Sequence, residues 1–475
     1  MNFQLPDLTP VIPEITMTAL ALIVLLLDLL IKRKEVVALI SIGGTLFVAL
    51  TLYGSHGTTF GGMYISDGYS TFFKMIFFVN IILSVLISIK YITIEKSNYG
   101  EYYALILFST TGMMIMASAS DLIVLYLGLE LMALSTYVLA GFIRHDLRSS
   151  EAAIKYFLLG AFSSAFLLYG ISLLYGLTGT TDIRSIANFI TEKGLSANRS
   201  LLLAVIFLTV AFGFKIAAAP FHMWTPDVYE GAPTSITAFM SVGPKAAGFA
   251  VLGRVFMVAF SGLKLDWVHI LIPLSILTMG IGNIVALSQT NIKRMLAYSS
   301  IAHAGYALLG IITANNEGLA STMNYLMIYA FMNIGAFAVI ILLRSEGFKG
   351  ESIYDYEGLS KKHPLAAALM LIFMFSLTGI PPTAGFIGKL YLFMAAINAG
   401  YTWLVVVAVI FSAISAFFYL RIVMFMYMRE PKIDVTLTNA PGTTFVLGIT
   451  TIAVLLIGIF PTYLINIARS AITGF

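Results

Sequence analysis

The sequence predicts an all-α polytopic membrane protein of about fourteen transmembrane helices, and three observations carry that prediction. Of its 475 residues, 59% are hydrophobic and 11% charged, where an ordinary soluble domain has about 25% charged. Mean hydropathy is +0.94, so the chain cannot cover its own surface with polar groups. Apolar runs such as "ITMTALALIVLLLDLLI" (15–31) and "LVVVAVIFSAISAFFYL" (404–420) recur along its whole length. Each approaches the roughly 20 residues a helix needs to cross a hydrocarbon core.

In chain order, spans are expected at 11–31, 36–54, 71–93, 101–119, 121–143, 151–177, 200–221, 233–260, 268–289, 296–313, 321–344, 365–399, 403–428 and 444–468. No basic residue precedes the first and no small-residue cleavage pattern follows it, so it reads as a retained helix. The longest polar stretch, "RSEGFKGESIYDYEGLSKKHP" (344–364), is only a loop, and no soluble domain is expected. The absence of cysteine excludes disulfides, thiolate metal sites, iron–sulfur clusters and Cys-attached haem. The spans group as 1–100 (helices 1–3), 101–261 (helices 4–8), 262–430 (helices 9–13) and 431–475 (helix 14).

Basic residues set the orientation. Lys32, Arg33, Lys34, Arg144, Arg148, Lys293, Arg294, Lys361 and Lys362 all fall in alternate loops. The positive-inside rule therefore places both termini on the non-cytoplasmic face.

Several charges remain within the spans, each costing roughly 2.5–3.5 kcal/mol at a helix centre. Lys74, Lys155, Arg254 and Arg421 lie nearer span ends and are expected to snorkel to the headgroups. Asp28 should pair with the basic loop at 32–34. Glu130, Lys215, Lys245 and Lys389 cannot reach an interface cheaply, and Glu130 is read as the mid-span acid. For His303 two readings stand: a neutral ring bonded to Ser299 or a backbone carbonyl, or a proton relay.

Proline breaks coincide with two of these charges. Pro220 cannot donate to the carbonyl of Ile216, and Pro381 and Pro382 do the same to Leu377 and Thr378. At membrane depth, groups freed this way survive only against protein or water, so the breaks should line a hydrated cavity. The broken helices are seven and twelve, the fourth of each five-helix block. An odd number of helices per block inverts the second block. Lys215 precedes Pro220 and Lys389 follows Pro382, so in oppositely running helices both ammonium groups fall on the outer side of their breaks. They are expected to form one lateral row with Glu130, Lys245 and His303. Burial disfavours a lysine's charged form and a nearby carboxylate restores it, so a moving carboxylate switches a lysine between holding and releasing a proton. Arginine could not serve, because it does not deprotonate.

At these residues the sequence resembles a known family. "ELMALSTYVLAGF" around Glu130, "FKIAAAPFHMWTPDVYEGAPT" around Lys215, "GPKAAGFAVL" around Lys245, "KRMLAYSSIAHAGY" around His303 and "GIPPTAGFIGK" ending at Lys389 resemble the antiporter-like membrane subunits of respiratory complex I, most closely the N-type branch. The resemblance covers essentially the whole chain. It implies fourteen helices with two inverted five-helix repeats (helices 4–8 and 9–13) and discontinuous helices 7 and 12. It further implies that Glu130 and Lys215 interact, that Lys245 connects and that Lys389 is the terminal site. The chain would translocate protons in NADH:quinone oxidoreductase, with NADH, FMN, iron–sulfur clusters and quinone bound by other subunits. Its implied neighbours are subunits K and M and the lipid bilayer of a bacterial inner membrane. Nucleic acid is not among them.

Two other readings are weighed. A subunit of a multi-subunit sodium/proton antiporter shares this fold and many motifs, but a sodium site should show clustered carboxylates. A stand-alone lipid or small-molecule transporter would predict central arginines. A chain carrying its own redox cofactor is disfavoured: there is no HxxxH pair, and "GFIGK" lacks the first half and the Ser/Thr of a P-loop.

Overall fold

Many of the helices begin where the sequence supplies a side chain that can accept from the first free backbone N–H groups. Asp67 caps α3 (Gly68–Ile94) in a reciprocal box with Ser70, Asp121 caps α5 (Leu122–Ala140) and Asp146 caps α6 (Leu147–Thr178). Asn198, Asn291 and Asn315 do the same for α8 (Arg199–Lys215), α12 (Ile292–Ile312) and α13 (Asn316–Leu342). Such caps satisfy donors that the helix itself leaves free. The structure, a computed structural model, describes residues 6–193, 198–345, 347–432 and 437–475.

Helices α1 (Ile12–Leu30) and α2 (Lys34–Thr51) form a hairpin. As expected, Asp28 pairs with the basic loop, through the carboxylate and a 2.8 Å bond from Lys34 Nζ to the Asp28 carbonyl. A short antiparallel ribbon, β1 (Gly57–Thr59) and β2 (Tyr64–Ser66), then leads into α3. Helix α4 (Glu101–Ser118) packs on α5 so closely that a Cβ at Gly112 would lie 2.5 Å from the backbone nitrogen of Met132. Glycine is what permits that approach. Helix α7 (Ile183–Lys193) is a short amphipathic element that hydropathy alone did not predict.

Helix α9 (Trp224–Gly231) continues α8 after a gap, and α10 (Thr234–Arg254) is prolonged by a π turn at Val255–Ala259. Helices α11 (Lys264–Ala286), α12 and α13 follow, then the single turn α14 (Leu359–Lys362). Helices α15 (Pro364–Thr378) and α16 (Ala384–Asn398) are two halves of one interrupted crossing, followed by α17 (Thr402–Met428) and α18 (Pro441–Ile459). The final span ends at Ile459, short of the expected 468, because Pro461 starts a separate amphipathic helix, α19 (Thr462–Ala471). Arg469 of α19 reaches Glu317 at the start of α13.

Eleven helices among the described residues are long and apolar enough to cross a membrane. With α4 and the interrupted pairs α8/α9 and α15/α16, they account for the fourteen expected crossings. Burial separates centre from rim: 94% of α12's span is enclosed but only 28% of α18's. Helices α10 and α13 are enclosed like α12, so these three carry the core of the bundle.

Two matching clasps lie in different halves of the chain. Leu122 N donates to Thr181 O (2.9 Å) and Ile183 N to Ser120 O (3.0 Å), tying the start of α5 to the segment after α6. Ile292 N donates to Glu351 O (2.7 Å) and Ile353 N to Thr290 O (2.9 Å), tying the start of α12 to the segment after α13 in the same pattern.

The four charges expected to snorkel all find protein partners; Lys74 and Arg254 are enclosed, whereas Lys155 keeps 41% of its side chain exposed. Lys74 is 0% exposed and bonds Glu14 Oε1 at 2.8 Å and Tyr64 Oη at 3.1 Å. Glu14, an acid of the first span beyond the two read from the sequence, is its counterion. Arg254 makes a two-pronged pair with Asp67, both bonds 3.0 Å, and adds the carbonyl of Ala117. Arg421 donates to Leu287 O (2.8 Å) and Gln289 O (2.6 Å), closing the end of α11. Lys155 bridges Glu151 and Asp227, each at 2.7 Å. Partners distant in sequence, invisible to hydropathy, hold all four.

Candidate functional site

The site is built on the two interruptions. Helix α8 ends at Lys215, and Ala217 then takes a left-handed backbone with φ +61°. That conformation is costly for a residue with a Cβ and persists where the surroundings impose it. The carbonyls freed at the break are met by protein groups. Trp224 Nε1 donates to Phe214 O at 3.0 Å and Ala218 N to Gly213 O at 2.8 Å. Ala219 N donates to Thr278 Oγ1 of α11 at 2.9 Å.

At the second break Gly379 turns left-handed with φ +92°, and the carbonyls of Leu377 and Thr378 at the end of α15 accept from a side chain of α16. Lys389, one and a half turns into α16, donates to both, at 3.3 and 2.8 Å, and to Ser412 Oγ of α17 at 2.9 Å. Its ammonium also lies 4.8 Å from the centre of the Tyr306 ring. Lys389 therefore does structural work, because a cation at a helix C-terminus satisfies the last carbonyls.

Lys245 sits on α10 directly after Pro244. Pro244 cannot donate to the carbonyl of Met240, and the Tyr229 hydroxyl of α9 donates there instead at 3.3 Å. Lys245 Nζ donates to Ser300 O of α12 at 2.7 Å and to the Ser300 hydroxyl. His303, one turn further along α12, has Nδ1 2.5 Å from Tyr325 Oη and Nε2 3.1 Å from Tyr419 Oη. Its partners are thus two tyrosines, whereas Ser299, the expected partner, bonds Tyr419 itself. Both Lys245 and Lys389 are within electrostatic reach of His303.

Glu130 of α5 and Lys215 are not in ion-pair contact. The Glu130 carboxylate accepts from Ser164 of α6. Lys215 Nζ is 3.5 Å from Tyr137 Oη and 5.7 Å from the Tyr137 and Phe214 ring centres, yet near enough to Glu130 to interact electrostatically. Between Lys215 and Lys245 stands an aromatic wall. Tyr137 meets Tyr156 at 4.7 Å, Tyr156 stacks on Trp224 at 4.4 Å, and Trp224 meets Tyr229 at 5.9 Å.

All five residues singled out in the sequence thus stand on helices around α10 and α12, with Lys215, Lys245, His303 and Lys389 each 5% exposed or less. The residues between them were missed: Tyr137, Tyr229, Ser300, Tyr306, Tyr325, Tyr419 and Ser412. A signal existed, since a buried tyrosine hydroxyl needs a partner, but sequence alone does not say which tyrosines turn inward. At the other end of α9, Asp227 and Glu230 bond Arg294 at 2.7 and 2.9 Å beside a cavity of ≈ 240 Å³ that Lys155 and Arg148 also line. Among the described residues, no group of three or more His, Cys, Asp or Glu is placed to hold a metal ion.

The family described as NADH:quinone oxidoreductase/Mrp antiporter, TM, matches residues 119–415. The chain is 48% identical to NADH-quinone oxidoreductase subunit N of Trichlorobacter lovleyi over 99% of its own length and 98% of the relative's. It superposes on a chain of respiratory complex I from Thermus thermophilus with a TM-score of 0.80 and 33% identity, covering 96% of this chain and 100% of that one. A chain of the Mrp complex from Dietzia sp. gives a TM-score of 0.84 at 21% identity over 98% and 97%, a likeness of fold alone. With breaks, buried lysines and full-length similarity in agreement, the chain belongs to the subunit N family of NADH-quinone oxidoreductase.

Proposed function

We propose that the chain is a proton-translocating membrane-arm subunit of NADH:quinone oxidoreductase. Protons would move along Glu130, Lys215, Lys245, His303 and Lys389 as electrons pass from NADH to quinone in other subunits. Those subunits would also hold the FMN, the iron–sulfur clusters and the quinone. The observation that supports this reading is the set of enclosed titratable groups itself: three lysines and a histidine, of which Lys245, His303 and Lys389 each meet a serine or tyrosine hydroxyl, while aromatic rings stand between Lys215 and Lys245. Each charge costs roughly 2.5–3.5 kcal/mol to place there, and capping accounts for Lys389 alone, which leaves Lys215 and Lys245 without a packing role.

The paired clasps at the starts of α5 and α12 support two repeats, 101–261 and 262–430, flanked by 1–100 and 431–475. The odd number of helices in each supports their inversion. Basic loops around Lys32, Arg144, Lys293 and Lys361 support termini on the non-cytoplasmic side of a bacterial inner membrane. Glu130 and Lys389 near opposite ends of the row support neighbours on both sides, which we assign to subunits K and M.

The test is Lys215→Ala in membranes carrying the assembled complex, with NADH oxidation and proton pumping measured together. Collapse of both is expected. Wild-type levels of both in an assembled complex would overturn the reading.

A further inference from the structure

Lys245 and His303 lie deep in the bundle, and the row as described gives them no connection to either aqueous face. A second set of buried polar groups supplies one. On α3, Asn80, Ser84 and Ser88 recur every four residues and so share one face of the helix; all three are 0% exposed. Ser88 Oγ is 2.8 Å from Tyr102 Oη of α4, and that hydroxyl is 2.7 Å from Ser235 Oγ of α10. Thr234, the neighbour of Ser235, donates its backbone N–H to Tyr91 Oη at 3.0 Å, with the two hydroxyls 3.4 Å apart. Tyr91 then lines a small cavity with Glu95, Asp146, Lys293 and Arg344, on the side of the basic loops. Its volume of ≈ 20 Å³ admits about one water.

Inward, Asn80 donates to Phe239 O of α10 at 3.2 Å, and Asn333 of α13 donates to Ser241 Oγ at 2.5 Å, one turn from Lys245. One turn back along α13, the Tyr329 hydroxyl faces Ser300, the residue that holds the Lys245 ammonium. Four polar atoms on this track are buried with no protein partner: Asn80 Oδ1, Ser84 Oγ, Asn333 Oδ1 and Tyr329 Oη. Buried polar atoms of that kind are ordinarily served by ordered water. The four fall at two interruptions of the direct hydrogen bonds, between Ser88 and Ser241 and between Asn333 and Ser300; the third, between Tyr91–Thr234 and Tyr102–Ser235, is spanned only by the adjacency of Thr234 and Ser235 on α10.

We propose that this track of hydroxyls and amides across α3, α4, α10 and α13 is the route by which protons reach Lys245 from the face bearing the basic loops. The inference rests on the proton-translocation reading above. Each hydroxyl accepts a proton on a lone pair and releases its own to the next oxygen, so its charge is unchanged after the hop. The amides of Asn80 and Asn333 orient the intervening water, and the proton ends on the neutral amine of Lys245.

Tyr102→Phe removes a single oxygen from the track, and Ser235→Ala removes the next. In assembled complex, each is expected to lower NADH oxidation and coupled pumping about a hundredfold, the low end for a lost proton-transfer group, and to raise the solvent deuterium isotope effect, which a packing role would not move. Tyr103→Phe, one residue along α4 with a buried hydroxyl off the track, should match wild type. Should Tyr102→Phe disturb assembly, the smaller Ser235→Ala decides on rate and isotope effect. Lys245→Ala in the same membranes separates the two readings. If it abolishes pumping while Tyr102→Phe and Ser235→Ala pump fully with an unchanged isotope effect, the row stands and the track is structural. If Lys245→Ala also pumps at wild-type levels, the row and the track fall together.

Discussion

The pair Glu14–Lys74 ties α1 to α3, and its energetics can be worked from its geometry. The two groups are 2.8 Å apart, with 4% and 0% of their side chains exposed. Lys74 also donates to Tyr64 Oη, so the ammonium is held on two sides. Lys74→Met keeps the length of the side chain and removes the charge, leaving the Glu14 carboxylate enclosed without a counterion. Breaking a buried pair on one side typically costs about 3–5 kcal/mol. Glu14→Leu strands the ammonium instead and should cost a similar amount. The double substitution removes both desolvation penalties together. Replacing a buried pair by apolar groups of like volume is often neutral or stabilising by about 1–4 kcal/mol. The effects should therefore be strongly non-additive, with a coupling of several kcal/mol (at least ~3).

The assay is graded heating of the solubilised complex, followed by native electrophoresis to score the fraction still assembled. Each single variant should lose assembly at temperatures where wild type is intact, and the double variant should return to wild type or above. A snorkelling Lys74 would predict three variants indistinguishable from wild type, and that result would refute the reasoning. So would a double variant as weak as the sum of its singles, because the two charges would then not be compensating each other.

Three further outcomes follow from named contacts. Lys389→Arg retains donors for the carbonyls of Leu377 and Thr378 but cannot release a proton; the complex should assemble while pumping is lost, and equal pumping would leave Lys389 a helix cap only. Lys389→Met should instead weaken assembly as well, since each orphaned carbonyl costs about 1–3 kcal/mol. At Gly282 a Cβ would lie 2.5 Å from the backbone nitrogen of Ala302, so Gly282→Leu should separate α11 from α12 and lower the yield of assembled complex, as should the same change at Gly112. Burial pushes the carboxyl of Asp146 up, but the Lys349 hydrogen bond and the Arg148 backbone N–H outweigh it and hold it below the usual carboxylate range. The stability Asp146 contributes is thus fully present above its unfolded value of about pH 4 and is lost as pH falls through the folded value. Asp146→Ala should cost about 1 kcal/mol at neutral pH and little once both forms are protonated, measurable as thermal stability against pH.

The fourteen crossings were legible because hydropathy reports length and composition, and these decide whether a segment enters a bilayer. Both breaks were legible too, since Pro220 and the pair Pro381–Pro382 remove backbone donors wherever they fall. Partners were not. Glu14 and Lys74 are sixty positions apart, Asp67 and Arg254 almost two hundred, and nothing local in either segment announces the other. A lysine near a span end looks the same whether it reaches headgroups or a buried acid. The tyrosines of the row were hidden for a related reason: α10, α12 and α13 are enclosed on every side, with polar residues spread around them, so no stripe marks which face meets which neighbour. Helix α7 escaped because its apolar face is one-sided and its average composition is that of a loop.

The three central lysines are held unequally, and the inequality bears on how a proton row could be driven. Lys389 has three acceptors, two of them carbonyls fixed at the end of α15. Lys245 has two, both on Ser300. Lys215 has a single oxygen at 3.5 Å, flanked by aromatic rings, and its carboxylate neighbour Glu130 is turned to Ser164. A charge with few fixed partners costs least to move or to discharge, because little preorganised hydrogen bonding is lost. Lys215 is also the last residue of α8, two positions before a strained left-handed Ala217, where backbone movement starts from a conformation already raised in energy. Swinging Glu130 from Ser164 to Lys215 would exchange one hydrogen bond for an ion pair and stabilise the ammonium. Swinging it back would withdraw that support while leaving Lys245 and Lys389 as they were. On the proton-translocation reading proposed above, the switch would therefore belong at the Glu130–Lys215 end of the row, and the better-anchored lysines would respond to it.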